Sequence, residues 1–221
     1  MWYPNLDARI ETAKRDDPSR LPEMMNDPEV LVRQEVARRI DPSWLPEMMN
    51  DPAWLVRQEA ARRIDPSRLP EMVGDRELSV RIEVAKRIDL ARLPEMMLDG
   101  DFEVRYEVAM RIYPSRLSEM MVDPSEWVRQ MVSTRIDPDR LPDMKDDPAW
   151  LVRHEVAKRI PIKYLPEMML DEDFAVRYEV AKKISRVFLG LMLMRESHPV
   201  VLKALRERNS IEYNPKAMEP E

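Results

Sequence analysis

Residues 17–40 read DPSRLPEMMNDPEVLVRQEVARRI, and residues 41–64 read DPSWLPEMMNDPAWLVRQEAARRI. The two stretches align without a gap. Further copies of the same 24-residue unit begin at Asp65, Asp89, Tyr113, Asp137 and Pro161, so seven copies run from Asp17 to Ile184. Five kinds of column keep one residue type in every copy: a Leu (Leu21 to Leu165), a Met (Met24 to Met168), an Asp (Asp27 to Asp171), a Val-Arg pair (Val32-Arg33 to Val176-Arg177) and the closing Ile (Ile40 to Ile184). Self-similarity at such a period is the signature of a solenoid, in which each repeat buries its apolar face against its neighbours.

The second half of the unit reads as an α-helix. Asp27 is a suitable N-cap, and Pro28 suits a first helical position, where its missing N–H costs nothing. Val32, Val36 and Ile40 recur four apart, with Ala37 beside them, and give one apolar face. Glu35/Arg39, Glu59/Arg63, Glu83/Arg87 and Glu155/Arg159 stand in the favourable i,i+4 order. Each pair adds only about 0.2–0.5 kcal/mol, so packing between repeats must supply most of the stability.

The first half cannot be a long regular helix. Prolines stand four apart at Pro18/Pro22, Pro42/Pro46, Pro66/Pro70 and Pro138/Pro142, and a proline inside an α-helix removes a bond and clashes with the preceding turn. The segment is therefore expected to form short 3₁₀ or single-turn helices carrying the Leu and Met columns inward. Period-2 alternation is absent, so no strand is expected.

Both ends of the array look like caps. Ala8 to Arg15 matches the second half of a unit, which makes residues 1–16 a half-repeat, with Trp2 and Tyr3 placed to seal it. Residues 185–209 read as a degenerate eighth unit. Leu189, Met192 and Val200 keep its phase there, while Arg195 and Val201 stand where Asp and Arg are due. Residues 210–221 are polar, contain two prolines and are expected to be a flexible tail.

Composition narrows the function. Charged residues make up 35% of the chain but nearly balance at −6, which gives no bulk attraction to nucleic acid or to anionic membrane. There is no cysteine, hence no disulfide, zinc–thiolate site or cysteine-ligated iron–sulfur cluster. The longest apolar stretch, Val187 to Met194, is too short to span a bilayer, and no signal peptide is visible. A cytoplasmic protein without membrane attachment is the expectation, and a monomer rather than an oligomer.

The pattern D-P-x-x-x-V-R-x-E-V-A-x-R-I, followed by a short Leu-containing turn at a strict 24-residue period, resembles the leucine-rich repeat variant family over residues 8–184. That resemblance implies an all-α, right-handed solenoid of alternating α- and 3₁₀-helices with no β-sheet. The segment from Asp27 to Arg33 also resembles the second helix of HEAT repeats, where Asp and Arg six apart form a ladder between repeats. The family is associated with an N-terminal cysteine module holding a four-iron four-sulfur cluster. The absence of cysteine from this chain keeps any redox role from carrying over, and an accessory role to a metalloenzyme rests on that association alone.

Four groups of residues are candidates for function. The Arg33 column lies near the apolar face and needs partners, which the Asp column supplies. Asp27, Arg33, Asp51, Arg57, Asp75, Arg81, Asp99, Arg105, Asp123, Arg129, Asp147, Arg153, Asp171 and Arg177 thus form a structural ladder, with Asp75 expected to serve Arg81. The Met columns could offer thioethers to a soft metal but read as core filler, and the two histidines, His154 and His198, are far apart in sequence, so no metal or cofactor is expected. Arg38, Arg62, Lys86, Lys158 and Lys182 form a basic column whose i−4 neighbours carry no acid, a ladder of charges that could meet phosphates. Repeats four and five break that column. Met110 and Thr134 replace its cation, Met131 replaces a Glu, and Tyr106 sits one turn before Met110, which makes Tyr106, Met110, Met131 and Thr134 a candidate partner patch. No catalytic constellation is present. A non-enzymatic scaffold binding another protein is the leading reading, and nucleic-acid binding through the basic column is the alternative.

Overall fold

The computed structural model describes residues 5–212, with no strand among them. The chain divides into two compact units, Met1–Ile112 and Tyr113–Glu221. The first contains α1 (Leu6–Arg15), α2 (Val30–Arg39), the single turn α3 (Leu45–Met48), α4 (Trp54–Arg63), α5 (Leu78–Arg87) and α6 (Phe102–Arg111). The second contains α7 (Glu126–Arg135), α8 (Trp150–Arg159), α9 (Phe174–Lys183), α10 (Arg186–Arg195) and α11 (Pro199–Glu212). Both are solenoid-type stacks of alternating α- and 3₁₀-helices. Helices α1, α2, α4, α5 and α6 each pack on the next in the first unit, and α7, α8, α9 and α11 do so in the second.

The prolines set the alternation. 3₁₀ helices occupy Pro18–Met24, Pro66–Met72, Pro114–Met120 and Pro138–Met144, and the turn at Pro42–Trp44 runs directly into α3. Asp17, Asp41 and Asp65 start three of them by accepting the N–H two residues on at 2.9 Å. The 3₁₀ helices turn Leu21, Leu69 and Leu93 inward, and α3 does the same for Leu45; each is fully buried beside Val32, Val80, Val104 and Val56 respectively. Burying one such side chain stabilises by about 1.5–3 kcal/mol, so the repeat columns are a row of small cores.

The long helices begin later than the sequence suggests. Asp27 and Pro28 precede α2, whose first residue is Val30, and Glu29 is its N-cap. Asp27 instead closes a turn by accepting the Glu29 N–H at 2.9 Å, as Asp51, Asp75 and Asp99 do for Ala53, Glu77 and Asp101. The turn leaves each carboxylate off the helix axis with lone pairs to spare.

The end of the second unit also corrects the reading of phase. Leu189 and Met192 are buried like their columns, but on a full α-helix, α10, in place of a 3₁₀ segment. An α-helix rises about 1.5 Å per residue against about 2.0 Å for a 3₁₀ helix, so it needs extra residues to span the same distance. The register accordingly slips by one: Val201 is fully buried, whereas Val200, expected in phase, is 48% exposed. Helix α11 continues to Glu212, past the expected start of the tail at residue 210. Trp2, Tyr3 and the remainder of the expected tail lie outside the described residues. Among the described residues no helix is long and apolar enough to cross a membrane.

Candidate functional site

The arginine ladder exists, with a different pairing from the one expected. Each guanidinium reaches forward to the Asp of the next repeat and grips it with two nitrogens: Arg33 to Asp51 at 2.7 and 2.9 Å, Arg57 to Asp75 at 2.7 and 2.8 Å, and Arg81 to Asp99 at 2.8 and 3.1 Å. The Asp six residues before it gives only its backbone carbonyl, as Asp75 does to Arg81 at 2.8 Å. The forward choice follows from the turn just described, which fixes each carboxylate at the edge of its repeat facing the preceding one. In the second unit Arg129 grips Asp147 and Arg153 grips Asp171 in the same way. Arg105 belongs to the first unit and Asp123 to the second.

The ladder ends on Glu196, which was not foreseen. Arg177 donates to its two oxygens at 2.8 and 3.1 Å, and Glu196 Oε1 accepts the Ser197 and His198 N–H groups as a ladder Asp would. Burial pushes the Glu196 carboxyl up, but Arg177 and the two N–H groups outweigh it and hold the group below the usual carboxylate range. Asp75 is held low in the same manner, by Arg57 and the Glu77 N–H against burial.

A second ladder runs along the helix C-termini. Arg39, Arg63, Arg87 and Arg159 do not engage the Glu four residues back. Arg39 donates to the carbonyls of Ala13 and Asp16 at 2.5 and 2.7 Å, Arg63 to Ala37 and Ile40 at 2.7 and 2.8 Å, and Arg87 to Ala61 and Ile64 at 2.6 and 2.8 Å. Arg159 does the same to Ser133 and Ile136, and Arg208 to Ala181 and Ile184. The last carbonyls of a helix lack intrahelical partners and carry partial negative charge, so a planar cation there satisfies two at once.

Those glutamates are used by the basic column instead. Arg38 pairs with Glu35 at 2.7 Å and with Glu59 of the next repeat at 3.0 Å, and Arg62 bridges Glu59 and Glu83, both at 3.3 Å. Lys86 meets Glu83, Lys158 meets Glu155 and Lys182 meets Glu179. The acids stand three residues back, a spacing that also faces along a helix, where inspection four residues back finds none. The column is therefore internally neutralised.

The four patch residues divide between the units. On α6, Phe102, Tyr106 and Met110 follow one another at four-residue spacing, with Phe102 and Met110 exposed and Tyr106 partly so. Leu78 and Ile82, at the matching positions of the packed neighbour α5, are half-buried. On α7, Met131 is half-buried, and the Thr134 hydroxyl donates to its backbone carbonyl at 2.7 Å.

A column of exposed rings was missed by sequence reasoning, although its 24-residue spacing is legible. Trp54, Phe102, Trp150 and Phe174 are each the first residue of their helix, and all are exposed. Trp150 meets His154 edge-on at 6.2 Å between centroids, and Phe174 stacks on His198 at 4.0 Å. Glu126 holds the equivalent place at the start of α7. Among the described residues no group of three or more His, Asp or Glu is placed to hold a metal ion.

No protein-family model and no curated protein matches the chain. A solved structure described as a leucine-rich repeat variant with a novel repetitive structural motif is 31% identical, with a TM-score of 0.85, over 90% of this chain and 84% of that one. The Escherichia coli protein YibA, 16% identical with a TM-score of 0.54 over 95% of this chain and 98% of its own, has a similar fold.

Proposed function

The chain belongs to the leucine-rich repeat variant family, and from that premise we propose that it is a non-enzymatic repeat scaffold that binds another protein. The observation that carries the reading is the face of α6. Phe102, Tyr106 and Met110 leave an apolar stripe on the surface, at positions where α4 carries Trp54, Gln58 and the paired Arg62. Aromatic and Met side chains on such a face, with charged residues around them, are the usual material of an interface centre. The charged columns, by contrast, are satisfied within the molecule, which argues against phosphate binding. A photo-crosslinking amino acid placed at Phe102 in the native host tests the reading. It is expected to capture one discrete protein species, and Met110→Lys in the same chain should abolish the capture. The same probe at Lys14 yielding an identical pattern would remove α6 from the account.

A further inference from the structure

We propose that Glu126, Trp150 and Phe174 form a docking track for a basic, proline-rich segment of a partner in the polyproline II conformation. The proposal rests on the protein-binding reading above and assigns the class of partner to a surface of the second unit.

The three residues are the first residues of α7, α8 and α9, which pack in succession. Packed helices lie about 8–10 Å apart. A polyproline II chain advances about 3.1 Å per residue with three residues per turn, so every third side chain returns to the same edge after about 9 Å. The two periods coincide. Prolines three apart would thus meet Trp150 and Phe174, and a residue three further along would meet Glu126.

The surface is prepared for such a ligand. Trp150 is 49% exposed, with His154 edge-on to it at 6.2 Å between centroids, and Phe174 is 44% exposed, with one face stacked on His198 at 4.0 Å. A ring already stacked, as Phe174 is, loses little entropy on binding. Flat aromatic surfaces are what grooves for proline-rich segments are lined with, and the preformed extended helix keeps its own ordering cost low.

Charge sets the third contact. Glu126 is exposed and makes no ion pair within 4 Å among the described residues: the arginine one turn on, Arg129, feels its charge but spends its guanidinium nitrogens on Asp147 at 2.7 and 2.9 Å. Asp173, beside Phe174, is the less accessible acid: it is half-buried, caps α9 by accepting the Ala175 N–H at 2.8 Å, and has Arg177 close enough to feel its charge. The open acid therefore stands at one end of the track, beyond the rings. This fits a cation separated by two residues from the first proline, in either chain direction.

The test uses the full chain and fluorescein-labelled oligoproline peptides carrying a single arginine at one end, with glutamate-ended peptides as the comparison. Fluorescence anisotropy at low salt should show binding of the arginine peptide, weakened about tenfold by Trp150→Ala or Phe174→Ala. Glu126→Lys, which costs α7 a favourable acid at its N-terminus and should lower the melt only slightly, is expected to reverse the preference to the glutamate peptide. Absence of binding at millimolar peptide would overturn the proposal, as would indifference to Glu126→Lys. So would equal binding of a peptide with alanines in place of the prolines, since that would be recognition of the cation alone. If no oligoproline binds while crosslinking at Phe102 still captures a protein, only this inference fails. If both fail, the scaffold reading goes with it.

Discussion

Arg81 grips Asp99, eighteen residues ahead, while Asp75 of its own repeat offers it only a backbone carbonyl. Both members of the pair are largely buried, and removing one leaves the other charge without compensation. Arg81→Ala is expected to destabilise the chain by about 3–5 kcal/mol, with Asp99 as the stranded group. A double-mutant cycle checks the direction. Arg81→Ala and Asp99→Ala should couple strongly, whereas Arg81→Ala and Asp75→Ala should be close to additive. A strong coupling to Asp75 in place of Asp99 would show that the ladder runs within repeats.

The carbonyl ladder has one irregular member. Lys183 stands where the other repeats carry Arg, donates at 2.5 Å to the Lys158 carbonyl, and has its pKa pushed down by burial. Arginine stays charged in such a place and can reach two carbonyls, as Arg159 does. Lys183→Arg is expected to stabilise by about 0.5–1.5 kcal/mol. Urea denaturation showing a loss would mean that the site cannot seat a guanidinium.

Asp75 and Glu196 give the pH dependence its sign. Both are held below the ordinary carboxylate value: burial opposes this in each, and the arginine and the N–H donors prevail. A carboxyl depressed in the folded state contributes stability that is complete above its unfolded value of about 4 and is lost as the pH falls through the folded value. Stability should therefore hold from about pH 8 to about pH 5 and fall below about pH 4. Glu196→Gln should lower stability at neutral pH and make the acid decline shallower. Wild type and variant with identical acid slopes would exclude Glu196 as a contributor.

The sequence shows the architecture because periodicity is a property of the chain itself. A Leu in phase in seven copies can only be core, and paired prolines exclude a long helix. Pairing is less legible, because it depends on where a turn puts a side chain. Asp27 looks like an N-cap, yet its Asx turn delays the helix to Val30 and turns the carboxylate toward the preceding repeat. Arg39 looks paired to Glu35 but lies closer to the open carbonyls of α1. Glu196 is invisible as a ladder member, because the extra residue that α10 requires moves it out of phase. The Trp54 to Phe174 column recurs at the repeat period but mixes Trp, Phe, Leu, Val and Glu, so a search for invariant columns passes over it.

Two substitutions restore the consensus at the broken positions of repeats four and five. Met110→Lys puts a cation three residues after Glu107, the relation that Lys86 has to Glu83. Met131→Glu returns the acid that the other six copies carry. Met110 is 43% exposed, so losing its thioether removes little buried surface and its lysine adds a surface ion pair of about 0–1 kcal/mol, whereas Met131 is half-buried and its glutamate takes a place where Glu59 and Glu179 are buried and ion-paired. The doubly substituted chain should melt at or above the wild-type temperature. Its binding to a native partner should weaken, because a charge would replace the exposed end of the Phe102, Tyr106, Met110 stripe. Gln34 is unsuitable as a control position, being buried with its amide 3.4 Å from Glu59. Asn26→Lys, on an exposed turn of the first unit, changes charge without touching α6. A restored chain that binds as tightly as wild type would reduce the stripe to sequence drift, and one that unfolds would place Met110 or Met131 in the core.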